Sequence, residues 1–86
     1  MAYEVLITDP AIQDLKKLPA HLIQRMKRAV LELATEPRPP NCRKLASVDP
    51  PTWRIRVGDW RVLYQVDDRK KLVAVIHFYH RREAYR

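Results

Sequence analysis

Residues 53–66 read WRIRVGDWRVLYQV, two β-prone runs separated by the dipeptide Gly58-Asp59. A two-residue loop of that composition joins antiparallel strands and fixes their register. Counting outward, Val57 faces Trp60, Arg56 faces Arg61, Ile55 faces Val62, Arg54 faces Leu63 and Trp53 faces Tyr64. Successive side chains of a strand point to opposite sides of a sheet. Trp53, Ile55, Val57, Trp60, Val62 and Tyr64 therefore share one face, which needs a cover, and Arg54, Arg56 and Arg61 share the other.

The cover lies upstream. Ala2–Thr8 is a short β-prone run that ends at Asp9-Pro10, a cap-and-start signal for a helix, with Asp9 as the capping side chain. Ala11, Ile12, Leu15 and Leu18 recur at helical spacing until Pro19, and Leu22, Ile23, Met26, Ala29, Val30 and Leu33 form a second such series. Residues 36–52 hold five of the seven prolines and read as a stiff irregular connector, with Leu45 and Val48 turned back onto the fold. A last strand, Leu72–Tyr79, follows a turn over residues 67–70. With a four-residue turn there, Val73 and Val75 face the core, and Ala74, Ile76, Phe78 and His80 join the arginine face; one residue more brings His77 there instead. The expected architecture is a single α+β domain over residues 1–86, in the order β-α-α-β-β-β, with a helical hairpin on one face of a mostly antiparallel four-stranded sheet.

Charge distribution narrows the function. The chain has 17 Lys and Arg against 10 Asp and Glu, a net charge of +7. Residues 1–36 are balanced, five basic against five acidic, whereas residues 37–86 carry twelve basic against five acidic. A concentrated positive field opposes folding and is best matched by a polyanion, nucleic acid first. Arg56 opposite Arg61 beside Arg54 is unfavourable unless an anion or nearby acids compensate, and arginine's planar fork suits phosphate oxygens. The longest apolar run, residues 72–76, is far short of a membrane span, and no signal pattern opens the chain. A single cysteine, Cys42, permits no internal disulfide. The expectation is a cytoplasmic protein without membrane association.

Scattered histidines argue against a metal site, and one glycine cannot make a phosphate-cradling loop; no metal or other cofactor is expected. What this composition suits is metal-free cleavage of RNA, in which the substrate's own 2′-hydroxyl attacks. The protein then holds the backbone in line, neutralises the growing charge and moves protons. Arginines serve the first two tasks and are poor bases. His80 and Tyr85, in the tail HRREAYR, are the nearby groups able to exchange a proton.

The opening MAYEVLIT, the LKKLP helix break, the NCRKLASV crossing, the WRIRVGDWRVLYQV hairpin and the closing HRREAYR resemble the RelE/ParE superfamily of bacterial toxins, specifically RelE-type mRNA interferases. The resemblance covers nearly the whole chain. It implies a RelE-like fold, cleavage of mRNA in the ribosomal A site, and neutralisation by a RelB-like antitoxin. By position it implies Arg61 on the reacting phosphate, Arg81 near the leaving oxygen, and Tyr85 stacked on the substrate base; His80 completes the expected catalytic set. Arg54 and Arg56 fall on mRNA-contacting positions that are often lysine, which leaves the general base unassigned, and Lys44, Arg82 and Arg86 complete the expected RNA-binding set. Two alternatives are a ParE-like toxin acting on DNA gyrase without nuclease activity, and an inactive relative that only binds an antitoxin.

Overall fold

The computed structural model describes residues 2–83. Its elements in chain order are β1 (Glu4–Ile7), α1 (Asp9–Leu15), α2 (Ala20–Thr35), β2 (Arg43–Lys44), β3 (Thr52–Val57), β4 (Trp60–Asp67), β5 (Leu72–His80) and a 3-10 turn at Arg81–Glu83. The strands form one sheet in the order β1-β5-β4-β3-β2. All neighbours are antiparallel except β1 and β5, which run parallel from Glu4↔Leu72 to Ile7↔Val75. The sheet has five strands rather than four because two residues of the proline-rich crossing, Arg43 and Lys44, pair with Arg54 and Trp53. Prolines cannot donate to a ladder, and the gap between Pro40 and Pro50 leaves room for this short edge strand.

The β3–β4 hairpin has the register that its turn dictates, from Trp53↔Tyr64 to Val57↔Trp60. Gly58 has φ 62° and is the first turn residue, which fits the type II′ geometry that favours glycine there. Ile55, Val62 and Tyr64 are buried, and Trp53, Val57 and Trp60 pack against them. Met26, Val30 and Leu33, at helical spacing on α2, close over this face together with Ala11 of α1. Burial pushes the Tyr64 phenol well up from its ordinary value, and its hydroxyl donates to the Pro37 carbonyl at 2.6 Å. Arg38 lies over the Trp53 ring, 5.3 Å from its centroid, and pairs with Asp68 at 2.7 Å, which ties the connector to the sheet.

Three expectations are corrected. Asp9 lies inside α1 rather than capping it: Thr8 precedes the helix, and its hydroxyl donates to the Val75 carbonyl at 2.7 Å. Val48 is 41% exposed and does not tuck back. The turn before β5 has four residues but covers 68–71 rather than 67–70, with Asp67 opposite Leu72, and Val73 and Val75 are buried as that length requires. Beyond them, however, Tyr64 pairs with Val75 and Leu63 with His77, so Ile76 is an extra residue, a β-bulge. The bulge reverses the alternation. Phe78 enters the core at 3% exposure, and His80 pairs with Trp60 on the helix side.

Candidate nucleic-acid interface

The sheet face away from the helices is laid out in rows by the ladder. Arg43, Arg54, Leu63 and His77 form one row across β2 to β5, and Arg56, Arg61 and Tyr79 form the next. Directly opposed side chains in such rows have Cβ atoms about 4.5–5.5 Å apart. Two of these neighbours are like-charged pairs, Arg43 with Arg54 and Arg56 with Arg61. The ion pairs among the described residues are Arg38–Asp68, His77–Asp14 and Arg81–Asp59, so Arg43, Arg54, Arg56 and Arg61 have no carboxylate in salt-bridge range there. Asp68 is committed to Arg38 and Tyr3 instead, and these two partners hold its carboxyl below the usual aspartate range.

Arg61 is steered by its own hairpin. One guanidinium nitrogen, Nη1, donates to the carbonyls of Gly58 at 3.2 Å and Trp60 at 3.0 Å. Arg81 reaches the same turn from the end of β5: its backbone N–H donates to the Asp59 carbonyl at 2.8 Å, and its Nε lies 3.7 Å from the Asp59 carboxylate. The turn thus draws Arg61 and Arg81 together at one end of the sheet, although they are twenty residues apart in the chain. Both retain donors for an anion, because each guanidinium has five and only some are engaged.

Other expected site residues lie elsewhere. His80 stands edge-on to the Trp60 ring at 5.2 Å, and its Nδ1 accepts the backbone N–H of Arg82 at 3.2 Å. It therefore sits across the sheet from the arginine rows. Lys44 pairs with Trp53, which puts it on the helix-side parity of the edge strand, and Arg43 occupies the arginine row in its place. Arg82 is exposed in the 3-10 turn. Tyr85 and Arg86 lie outside the described residues. Sequence reasoning missed Arg43 because nothing in a proline-rich run signals strand pairing, and missed His77 because a bulge rather than turn length placed it. Among the described residues, no three His, Cys, Asp or Glu side chains gather as a metal site. No helix is long and apolar enough to cross a membrane.

Such a surface can grip a phosphodiester backbone at several points and neutralise charge that builds on one phosphate. Known proteins share this chain's sequence and shape. A sequence profile described as the ParE toxin of the type II toxin-antitoxin system, parDE, matches residues 5–85. Toxin RelG of Mycobacterium tuberculosis is 34% identical over 90 residues, which span 100% of this chain and 99% of that protein. The toxin-antitoxin complex RelBE2 from the same organism superposes with a TM-score of 0.84 at 28% identity, over 93% of this chain and 99% of the other. The archaeal RelE-RelB complex from Pyrococcus horikoshii gives a TM-score of 0.83 at 28% identity, over 98% and 100% of the two chains. With its helical hairpin, its sheet and its arginine rows in place, the chain belongs to the RelE/ParE superfamily of toxins from type II toxin-antitoxin systems.

Proposed function

We propose that this toxin is a metal-independent endoribonuclease that cuts mRNA in the ribosomal A site and is silenced by a cognate RelB-like antitoxin. The observation that carries the reading is the pair of arginine rows, in which Arg43, Arg54, Arg56 and Arg61 crowd one sheet face with no carboxylate in salt-bridge range among the described residues. A bound phosphate backbone relieves that repulsion. Arg61 binds the reacting phosphate, Arg81 stabilises the leaving oxygen, and Arg54 and Arg56 hold the flanking backbone. Tyr85 stacks on the substrate base, Arg43 extends the row in the place expected for Lys44, and Arg82 and Arg86 add to the contact with RNA.

The antitoxin follows from the company the fold keeps, since the two structures described above are a toxin-antitoxin complex, RelBE2, and a RelE-RelB complex. The partner's chemistry follows from charge: an acidic or amphipathic segment suits the basic face. In the test, the purified toxin is added to a translating extract and to the same message without ribosomes. Cutting of the translated message alone supports the reading, and its abolition in a folded Arg61→Ala variant places the phosphate site. A toxin that inhibits supercoiling by DNA gyrase and leaves translated message intact is instead the ParE-like alternative, which the name of the matching family favours.

A further inference from the structure

The bulge at Ile76 turns a histidine toward the basic face and gives it a carboxylate partner. Parallel pairing between β1 and β5 ends at Ile7↔Val75, so beyond that point β5 has no strand on its β1 side. Helix α1 fills the place. Its Asp14 Oδ2 accepts the backbone N–H of Phe78 at 3.0 Å and lies 2.9 Å from Nδ1 of His77. Asp14 is a quarter exposed, and the His77 side chain is about half exposed, at 48%. The two line an open cleft of about 280 Å³ with Leu63, Tyr79 and Glu83.

Bonding Nδ1 to a carboxylate holds an imidazole in the tautomer whose Nδ1 carries the proton, leaving Nε2 with a lone pair for another group's proton. In the ladder, His77 is the diagonal neighbour of Arg61 across β4 and β5, because Leu63 faces His77 and Arg61 faces Tyr79. Diagonal side chains on one sheet face stand ~7–8 Å apart at their bases, so the imidazole and the Arg61 side chain leave neighbouring positions of the same basic face. The charged and titratable groups that line the cleft with the ring are Asp14 from α1, Tyr79 from β5 and Glu83 from the 3-10 turn, and Arg61 holds the diagonal position on β4.

We infer that His77 is the proton acceptor of this nuclease, a catalytic residue that Asp14 positions. The inference rests on the endoribonuclease reading. In the step it serves, the 2′-oxygen forms a bond to phosphorus and gives its proton to Nε2 of His77 as the bond from phosphorus to the 5′-oxygen breaks. The departing 5′-oxygen takes a proton from water, and His77 later returns its own to solvent. The products are a 2′,3′-cyclic phosphate and a 5′-hydroxyl, with no change of oxidation state.

The alternative is a clamp that merely fastens α1 to β5, and two substitutions separate them. In His77→Asn the amide nitrogen overlies Nδ1 and keeps the bond to Asp14 while Nε2 is gone. Asp14→Asn keeps an acceptor for the Phe78 N–H and releases the ring's tautomer. Cleavage is followed on translating ribosomes under single-turnover conditions between pH 5.5 and 8.5, alongside melting temperature and affinity for an uncleavable message with a 2′-deoxy scissile nucleotide. The expected result for His77→Asn is an unchanged melting temperature and affinity, a cleavage rate lower by ~10²–10⁴-fold, and loss of the acid limb of the pH profile. Asp14→Asn is expected to lower the rate less and to shift that limb. Wild-type cutting matched by His77→Asn overturns the inference and leaves the nuclease reading intact, whereas a wild type that never cuts overturns both.

Discussion

Arg56 and Arg61 stand directly opposite each other across the tightest part of the β3–β4 hairpin. Opposed like charges cost stability, so Arg56→Ala should stabilise the fold by about 0.2–1 kcal/mol at low ionic strength. The gain should vanish near ~1 M salt, where the screening length is only ~3 Å. The same variant should bind single-stranded RNA more weakly, with the slope of log affinity against log salt smaller by about 0.7 for the lost phosphate contact. Urea melts and filter binding across a salt series check both effects.

Gly58→Ala should destabilise the hairpin by ~1–2 kcal/mol, because φ 62° is a left-handed conformation that a Cβ disfavours. The added carbon would also come within 2.9 Å of the Arg25 guanidinium, which must swing away. Chemical denaturation measures the loss. A companion Arg25→Ala change should remove only the crowding and recover a small part of it.

Tyr64→Phe should cost ~1–3 kcal/mol by leaving the Pro37 carbonyl without its buried donor. The aromatic packing is retained, so the far-ultraviolet circular dichroism spectrum should match that of the parent. A loss below a few tenths of a kcal/mol in equilibrium denaturation would show that water replaces the hydroxyl.

Arg38 and Tyr3 lower the Asp68 carboxyl below its unfolded value, and the Arg38 hydrogen bond is the largest cause. A group depressed on folding stabilises fully above its unfolded pKa, ordinarily ~3.9, and loses that contribution as pH falls through the lower folded value. Asp68→Asn should therefore lower the melting temperature slightly at neutral pH and flatten its dependence on pH in the acid range. The site is exposed, so the effect should be small and should shrink with added salt. Calorimetric scans from pH 2.5 to 7 test it.

The hairpin was legible because Gly58-Asp59 and strict alternation determine register without help from the rest of the chain. The helices were equally plain, since Met26, Val30 and Leu33 repeat at a period that only a helix uses to build one face. What stayed hidden depends on distant partners. Ile76 is an ordinary strand residue in sequence, and it becomes a bulge where the edge of β5 passes from β1 to the Thr8 and Asp14 side chains. That single insertion moved Phe78 into the core, took His80 away from the arginines and brought His77 to them. Arg43 was hidden for a related reason, because edge pairing with β3 is decided by where the crossing returns to the sheet.

The parallel pairing of Glu4 with Leu72 has a bearing on synthesis. The first strand made waits for the last before it can enter the sheet, and closing so long a loop is an entropic cost borne late. A nascent copy emerging from the ribosome can build its helical hairpin and the β3–β4 hairpin, while the assembly that unites them must await release of the fifth strand. The producing cell gains an interval in which the toxin's first strand and its hairpin are not yet joined in one sheet.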